Sequence, residues 1–310
     1  MSKIQGICIS EKRGTEKHCV EEAMLIEDWG IENDAHAGHW HRQVSLLSLE
    51  KIEEFRKKGA NVDFGAFGEN LIIDGFDFRN LPVMTRFQIG EAILEMTQIG
   101  KECHSHCQIY KRVGDCIMPR EGVFARVIKG GKIKVNDEVQ LIENKSHLLT
   151  AAILTMSDKG SQGLREDTSG KTILRILKDH HYQVEEYMIL PDNQKLLERT
   201  LKQLSDQRQI NLIITTGGTG FSPRDFTPEA TLNVMTRNAP GISEAIRYES
   251  MKYTKRAMLS RGASVIRNQT LIVNLPGSEK AVKESMDIII DTLEHGLKVL
   301  NDDVHECGRQ

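Results

Sequence analysis

The chain has little net charge, no long apolar run and few cysteines, and each shortage removes a class of function. Its 41 lysines and arginines nearly balance 44 aspartates and glutamates, a formal net charge of −3 over 310 residues. Bulk attraction to nucleic acid or to an anionic membrane surface is therefore not expected. No apolar run approaches the ~20 residues that a membrane-spanning helix needs. The opening residues Met1-Ser2-Lys3-Ile4-Gln5-Gly6 lack the apolar core of a signal peptide, which predicts a cytoplasmic location. Six irregularly spaced cysteines do not make a disulfide framework at this length; in a reducing compartment they are free, metal-bound or reactive. Internal repeats and low-complexity tracts are missing too. What is there is enough chain for two domains of ordinary size, each with its own core.

The stretch with most to say is Thr215 to Ala230, TTGGTGFSPRDFTPEA. Asn211-Leu212-Ile213-Ile214 before it has the pattern of a short buried strand, and Pro228-Glu229-Ala230 after it opens a helix, with Thr227 expected as N-cap. Glycines at Gly217, Gly218 and Gly220 let the backbone turn tightly and bring its N–H groups close to a ligand. At the carboxyl end of a strand in an α/β sheet, such a loop holds an anionic group. Two familiar phosphate motifs are excluded. A dinucleotide fingerprint would need a third glycine where Pro223 stands, and a P-loop would need lysine where Phe221 stands. An ordinary tight strand-to-helix turn remains the plain alternative for Gly-Gly-Thr-Gly alone; Arg224-Asp225 and Thr227-Pro228-Glu229 make the stretch more specific.

In the first half, strands are expected at Ile4 to Ser10, Val44 to Leu47, Val83 to Ile89, Ala92 to Met96, Gly122 to Ile128 and Glu138 to Ile142. One helix is expected from Ser48 to Lys58, capped by that serine. Gly130-Gly131-Lys132 and Val135-Asn136-Asp137 read as turns. Many short strands with glycine-bearing turns predict a mainly β domain with a bent or closed, barrel-like sheet. Two clusters carry potential chemistry. Asp34-Ala35-His36-Ala37-Gly38-His39-Trp40-His41-Arg42 reads either as a metal site or as a solvated polar loop. Cys103-His104-Ser105-His106-Cys107, with Cys116 downstream, has three readings: a zinc site, although C-x-x-C spacing is missing; a reactive thiol favoured by Lys101, His104 and Arg112; or plain buried small residues.

Asn144-Lys145-Ser146-His147 reads as a linker, dividing the chain at about 1–145 and 149–305. Beyond it strands and helices alternate: strand Ala151 to Thr155, helix Thr168 to His180, strand Val184 to Ile189, helix Asn193 to Ser205 and strand Ile210 to Thr215. Helices from Pro228 and from Ser243 to Lys252 follow, then strand Thr270 to Asn274 and a last helix from Ser278 to Leu300. This predicts a three-layer α/β/α domain with a mostly parallel sheet. Ser169-Gly170-Lys171-Thr172 imitates the end of a P-loop, but Arg165 occupies the place of its earlier glycine, so it reads as a helix opening. Loops at strand ends gather at one edge of such a sheet: Ser157-Asp158, Pro191-Asp192, Gly217 to Asp225 and Asn274 to Ser278. Carboxylates beside a phosphate loop repel the phosphate unless a divalent cation sits between them, which makes Asp192 and Asp225 candidate Mg²⁺ ligands. For Asp192 a turn or cap role is the simpler alternative.

Both halves resemble known families. Gly30-Ile31-Glu32-Asn33-Asp34-Ala35-His36-Ala37-Gly38, Arg42 to Leu47 and Gly65-Ala66-Phe67-Gly68-Glu69-Asn70-Leu71 are similar to successive motifs of MOSC domains, the β-rich domains named for the carboxyl-terminal part of molybdenum cofactor sulfurase. That resemblance implies cofactor binding or sulfur handling by a cysteine, for which Cys103 is the positional match. Here the family's Arg-x-Pro-Cys is replaced by Gly100-Lys101-Glu102-Cys103. The second half resembles the molybdopterin adenylyltransferases of molybdenum cofactor assembly. The matching residues are Leu154 to Asp158, Leu190-Pro191-Asp192, Thr215 to Gly220, Arg224 to Ala230, Pro240 to Arg247, Leu259-Ser260-Arg261 and Asn274 to Gly277.

The second resemblance implies transfer of AMP from ATP to the terminal phosphate of molybdopterin, with pyrophosphate released, in a homo-oligomer that is a trimer or a dimer of trimers. Asp192 and Asp225 would be catalytic and hold Mg²⁺, with Cys103 the reactive group of the first half. Ser157, Asp158, Thr216, Gly217, Gly218, Thr219, Gly220, Pro276 and Gly277 would bind ATP and phosphate, and Ser243, Glu244, Ser260 and Arg261 would grip the pterin. A downstream molybdenum insertase or molybdoenzyme would be the partner. The competing readings are a molybdopterin carrier or a molybdotransferase without adenylylation, joined to a structural zinc-binding first half.

Overall fold

The computed structural model describes residues 1–13, 15–59, 62–101, 116–143 and 148–301. The chain divides into two units, Met1–Ser146 and His147–Gln310. The first contains β1 (Ser2–Ile9), β2 (His18–Val20), β3 (Glu22–Ile26), β4 (Gly30–Ile31), β5 (Val44–Ser48), helix α1 (Leu49–Lys57), β6 (Leu71–Ile73), β7 (Arg86–Ile89), β8 (Ala92–Ile99), β9 (Val123–Lys129), β10 (Gly131–Lys134) and β11 (Glu138–Ile142). The main sheet runs β11-β7-β8-β9-β5-β6-β1-β2, and β11 also pairs with β1. Seven strands thus close into a barrel, with β2 attached to β1 outside the ring, while β10-β3-β4 form a small separate sheet. Strand alternation sorts the side chains. Leu46, Leu71 and Ile73 join Phe87, Leu94 and Met96 inside the barrel. Leu47 and Ile72, one residue out of phase, point outward and pack with Ile52 and Phe55 of α1.

Two details depart from the sequence expectation. Ser48 precedes α1 in an extended conformation, but its hydroxyl donates to Glu50 Oε2 at 2.5 Å and makes no bond to a helix N–H. The glycine pair at Gly130-Gly131 leads directly into β10, because Gly131 to Lys134 pair with Glu22 to Leu25 across the small sheet. Only the turn at Asn136, with φ +75°, interrupts the chain there.

The second unit contains β12 (Thr150–Met156), a single helical turn at Asp158–Ser161, α2 (Thr168–Asp179), β13 (Gln183–Leu190) and α3 (Gln194–Lys202), which runs on into a π-helical turn at Gln203–Gln207. It continues with β14 (Leu212–Thr216), α4 (Thr227–Val234), β15 (Arg237–Asn238), α5 (Pro240–Ser250), β16 (Ser264–Arg267), β17 (Thr270–Leu275) and α6 (Glu279–Leu300). The sheet order is β13-β12-β14-β17-β16-β15. Its first four strands run parallel, and β16 and β15 add antiparallel pairings at the far side. Alternate residues face opposite ways. Ile153, Ile214 and Val273 pack with α2 and α6, whereas Leu154, Ile213 and Ile272 pack with α3 and α4. Helix α5 starts at Pro240, three residues earlier than the sequence suggested, since proline suits the first helical positions. Thr227 is the first helical residue of α4 and not its N-cap, which is Phe226. No helix among the described residues is long and apolar enough to cross a membrane.

Candidate functional site

Register places the site. In the sheet Met156 lies opposite Leu190, Thr155 opposite Thr216, and Thr216 opposite Leu275. These four parallel strands therefore end level, and the residues that follow each of them emerge at one edge. There they border a cleft of about 360 Å³, lined by Ser157, Asp192, Gly217, Gly218, Asp225, Gly277 and Ser278, by Thr155 of β12, by Arg165 and Asp167 just ahead of α2 and by Ser169 in its first turn.

The backbone of the glycine loop is fixed by contacts no larger residue would allow. Gly217 and Gly218 have φ of +92° and +64°. A Cβ on Gly217 would lie 2.5 Å from the Met156 carbonyl oxygen, and one on Gly218 would lie 2.4 Å from Thr227 Oγ1. Thr227 earns its position at the start of α4 by closing the loop: its Oγ1 donates to the Gly217 carbonyl at 2.8 Å and its N–H to the Gly218 carbonyl at 3.1 Å. From the other side Arg261 donates through Nε to the Gly220 carbonyl at 2.8 Å and through Nη2 to the Asp225 carbonyl at 2.6 Å. Its Nη1 is paired with Glu229, and its own N–H meets the Thr219 carbonyl at 2.9 Å. Below the loop, Thr216 Oγ1 donates to the Pro276 carbonyl at 2.6 Å and Ser169 Oγ to the Gly277 carbonyl at 2.9 Å.

Acidic groups crowd one wall. The Asp192 N–H donates to Asp158 Oδ1 at 2.9 Å, and Arg224 reaches Asp158 Oδ2 at 3.4 Å. Asp225 Oδ2 accepts from the Ser222 N–H at 3.1 Å while the Asp225 N–H donates to the Ser222 carbonyl at 2.9 Å, a reciprocal pair that aims the carboxylate. Burial, followed by the charges of Asp158 and Asp225, raises the Asp192 carboxyl above its ordinary range, against the opposing pull of the Asp158 hydrogen bond and of Arg224. Among the described residues, no group of three or more histidine, cysteine, aspartate or glutamate side chains is arranged to hold a metal ion by itself.

Of the residues singled out from the sequence, the cleft gathers Ser157, Asp192, Thr216, Gly217, Gly218, Asp225 and Gly277. Asp158 stands behind Asp192, and Pro276 contributes its carbonyl to Thr216. Thr219, Gly220, Ser243, Glu244, Ser260 and Arg261 do not line it. Ser243 is buried, its hydroxyl donating to the Pro240 carbonyl at 3.0 Å, and Glu244 is on the exposed side of α5. Sequence reasoning missed Asp167. This buried carboxylate accepts from Thr155 Oγ1 at 2.6 Å, from the Tyr187 hydroxyl at 2.7 Å and from the Gly170 N–H at 2.8 Å. Burial and the bond to Asp167 push the Tyr187 hydroxyl well above its usual range. The signal was present, since Asp167 before Thr168-Ser169-Gly170 is an N-cap pattern.

The first unit has its own cavity of about 580 Å³, lined by His36, Trp40, Arg42, Phe67, Asn70, Lys101 and Phe124 among others. Arg42 lies over the Trp40 ring at 4.7 Å. Beneath the cavity the buried Lys17 ammonium meets Asp34 at 2.6 Å and lies 3.4 Å from His36 Nδ1. Burial, then the Lys17 charge, lowers the His36 imidazole below its ordinary range. The three histidines do not converge: His39 faces Asp28 at 3.1 Å and His41 faces Gln98 at 2.9 Å. Cys103, His104, His106, Cys107 and the linker at 144–147 lie outside the described residues. Cys116 is buried.

Comparison with known proteins agrees with both units. A family model described as a probable molybdopterin binding domain matches residues 152–295, and one described as the MOSC domain matches residues 33–140. The molybdopterin adenylyltransferase of Helicobacter pylori is 40% identical over 145 residues, which cover 46% of this chain and 82% of that protein. The molybdenum cofactor synthesis protein cinnamon of Drosophila melanogaster is 41% identical over 157 residues, 50% of this chain but only 26% of that protein. The solved structure of the molybdopterin biosynthesis enzyme MoaB from Thermus thermophilus is 39% identical, with a TM-score of 0.48, covering 50% of this chain and 98% of that one.

Proposed function

The chain belongs to the molybdopterin adenylyltransferase family through its second unit and carries a MOSC domain in its first, and from that premise we propose that the second unit transfers AMP from ATP to the terminal phosphate of molybdopterin, releasing pyrophosphate. The observation that carries the proposal is the meeting of Asp192 and Asp225 with the Gly217-Gly218 backbone in one cleft. A phosphate nucleophile is already ionised, so no strong general base is needed, and catalysis reduces to positioning and to neutralising charge. Gly217 and Gly218 bring the main chain to the phosphates; Thr227 and Arg261 hold that main chain in shape. A three-layer domain with a mostly parallel sheet is the architecture that fits this site.

The acidic wall fits Mg²⁺. Burial, and after it the charges of Asp158 and Asp225, raise the Asp192 carboxyl, and a cation beside it would favour the charged form. Two carboxylates suffice, because Mg²⁺ keeps waters and substrate phosphates as its other ligands. Asp192 and Asp225 would hold it, and when bound it would neutralise charge on the triphosphate. For the first unit we place cofactor binding in the cavity between Arg42 and Lys101, whose aromatic walls suit a flat ring and whose cations suit a phosphate. Cys103, two residues beyond Lys101, would carry sulfur. A trimer or dimer of trimers in the cytoplasm completes the reading; exposed Tyr248, Met251, Tyr253 and Leu259 in and beyond α5 are apolar surface that a subunit contact would cover.

The test is pyrophosphate release by the full chain with Mg-ATP, with and without molybdopterin. Release that requires molybdopterin, with an adenylylated pterin found by mass, is the expected result. Molybdopterin binding without pyrophosphate would overturn the transferase and leave a carrier.

A further inference from the structure

In the first unit β1 and β2 run antiparallel with Cys8 opposite Cys19. The Cys8 N–H donates to the Asn70 carbonyl at 2.7 Å, and the Cys8 carbonyl accepts from Asn70 Nδ2 at 3.0 Å. Both main-chain groups of Cys8 therefore face away from β2, which makes Cys8 and Cys19 a non-hydrogen-bonded pair. In that register facing Cα atoms approach to about 4.5 Å and their side chains come closest. The separation lies within the range of about 4.4–6.8 Å that a disulfide spans without backbone movement. The two sulfurs are 3.2 Å apart. Cys8 is fully buried and Cys19 is exposed, so only one of the pair meets solvent.

We propose that Cys8 and Cys19 form a reversible dithiol–disulfide site that low-molecular-weight disulfides oxidise through Cys19. The Cys19 thiolate attacks one sulfur of the small disulfide, forming a mixed disulfide and expelling one small thiolate. The Cys8 thiol, giving its proton to that thiolate, then attacks Cys19 Sγ and expels the second small thiolate, which takes the proton that Cys19 released to solvent. The chain loses two electrons and two protons; the small disulfide gains them and leaves as two thiols. Burial, then the contact and charge of Cys19, hold the Cys8 thiol far above its ordinary range; the mixed disulfide removes the Cys19 part of that effect, so Cys8 gives up its proton and attacks only after Cys19 has been engaged. The new bond ties β2 to the barrel wall. The segment before β2 carries Thr15 and Glu16 of the cavity lining and the buried Lys17, so oxidation fixes one side of the cavity. This inference does not depend on nucleotidyl transfer.

The experiment treats the reduced full chain with excess glutathione disulfide, quenches by alkylation and maps the peptides by mass. The expected result is a Cys8–Cys19 link within one chain, reversed by dithiothreitol. Cys8→Ala should instead accumulate a stable glutathione adduct on Cys19. Cys19→Ser, which changes an exposed position and spares the core, should leave Cys8 unmodified. A lasting glutathione adduct on wild-type Cys19 without a link, a link from Cys19 to another cysteine, or glutathionylation of Cys8 in Cys19→Ser would each overturn the proposal.

Discussion

Gly218→Ala isolates the contribution of loop shape from that of side-chain chemistry. At φ +64° an L-residue costs about 1–2 kcal/mol. The added methyl would also sit 2.4 Å from Thr227 Oγ1, displacing a hydroxyl that donates to the Gly217 carbonyl. Losing that bond costs about 0.5–1.5 kcal/mol, and crowding a packed site costs about 1–3 kcal/mol. These effects overlap, so the expected loss is about 2–5 kcal/mol. Both tryptophans, Trp29 and Trp40, lie in the first unit, so fluorescence would not report the change. Hydrogen exchange across Leu212–Val234 would. The decisive comparison is a double-mutant cycle with Thr227→Ala, which removes the hydroxyl that the methyl meets. If the contact is real, the double variant is less damaged than the sum of the singles by about 1–3 kcal/mol. Additivity within about 0.5 kcal/mol would refute the geometry.

Asp225→Asn should abolish pyrophosphate release while pterin binding, read by calorimetry, stays nearly intact; wild-type turnover would remove Asp225 from the metal role. Because the Asp192 carboxyl is raised, protonation disables it at a pH above the ordinary carboxylate range. The acid limb of the rate profile should lie correspondingly high and move to lower pH as Mg²⁺ is increased. Arg261→Lys keeps the charge but loses the fork that holds two carbonyls, so exchange in the Gly217–Asp225 loop should quicken and the ATP KM rise more than that of the pterin. Glu69 is buried, and its carboxyl is pushed up from 4.5 to about 7. A group raised in the folded state gives stability that is full below its unfolded value and lost as pH rises through the folded one. The barrel should therefore lose about 3 kcal/mol between pH ~4.5 and ~7, and Glu69→Gln should flatten that slope in urea titrations followed by tryptophan fluorescence.

The second unit was the more legible because local and global signals agree there. Apolar runs such as Leu212 to Ile214 fill central strands buried on both faces, and the strand-end residues they precede reach the cleft without further information. What escaped depends on distance along the chain. Arg261 stands 41 residues from the Gly220 carbonyl it binds, and no local pattern separates a residue that braces a loop from one that grips a ligand. Asp167 was visible as a cap but not as the acceptor for Thr155 and Tyr187, which come from two neighbouring strands. The short β15 and β16 were lost because four residues or fewer carry almost no periodicity. In the first unit, closure of the sheet followed from the density of strands. The individual strands were harder: pairing is irregular between Ile4 and Gly6 and at two points in β8, so side chains change face where a regular alternation would not.

Closure of the barrel by β1 and β11 has a consequence for synthesis. The strand made first finds one of its partners only when Glu138–Ile142 exists. Until then β1 and β7 each present an open edge to the surroundings. At about 5–20 residues per second, a ribosome needs roughly 7–30 s to reach that point, and for that interval those two edges are open to pairing with other chains. A chain stopped just short of β11 has nearly all of the barrel's core residues and none of its closure.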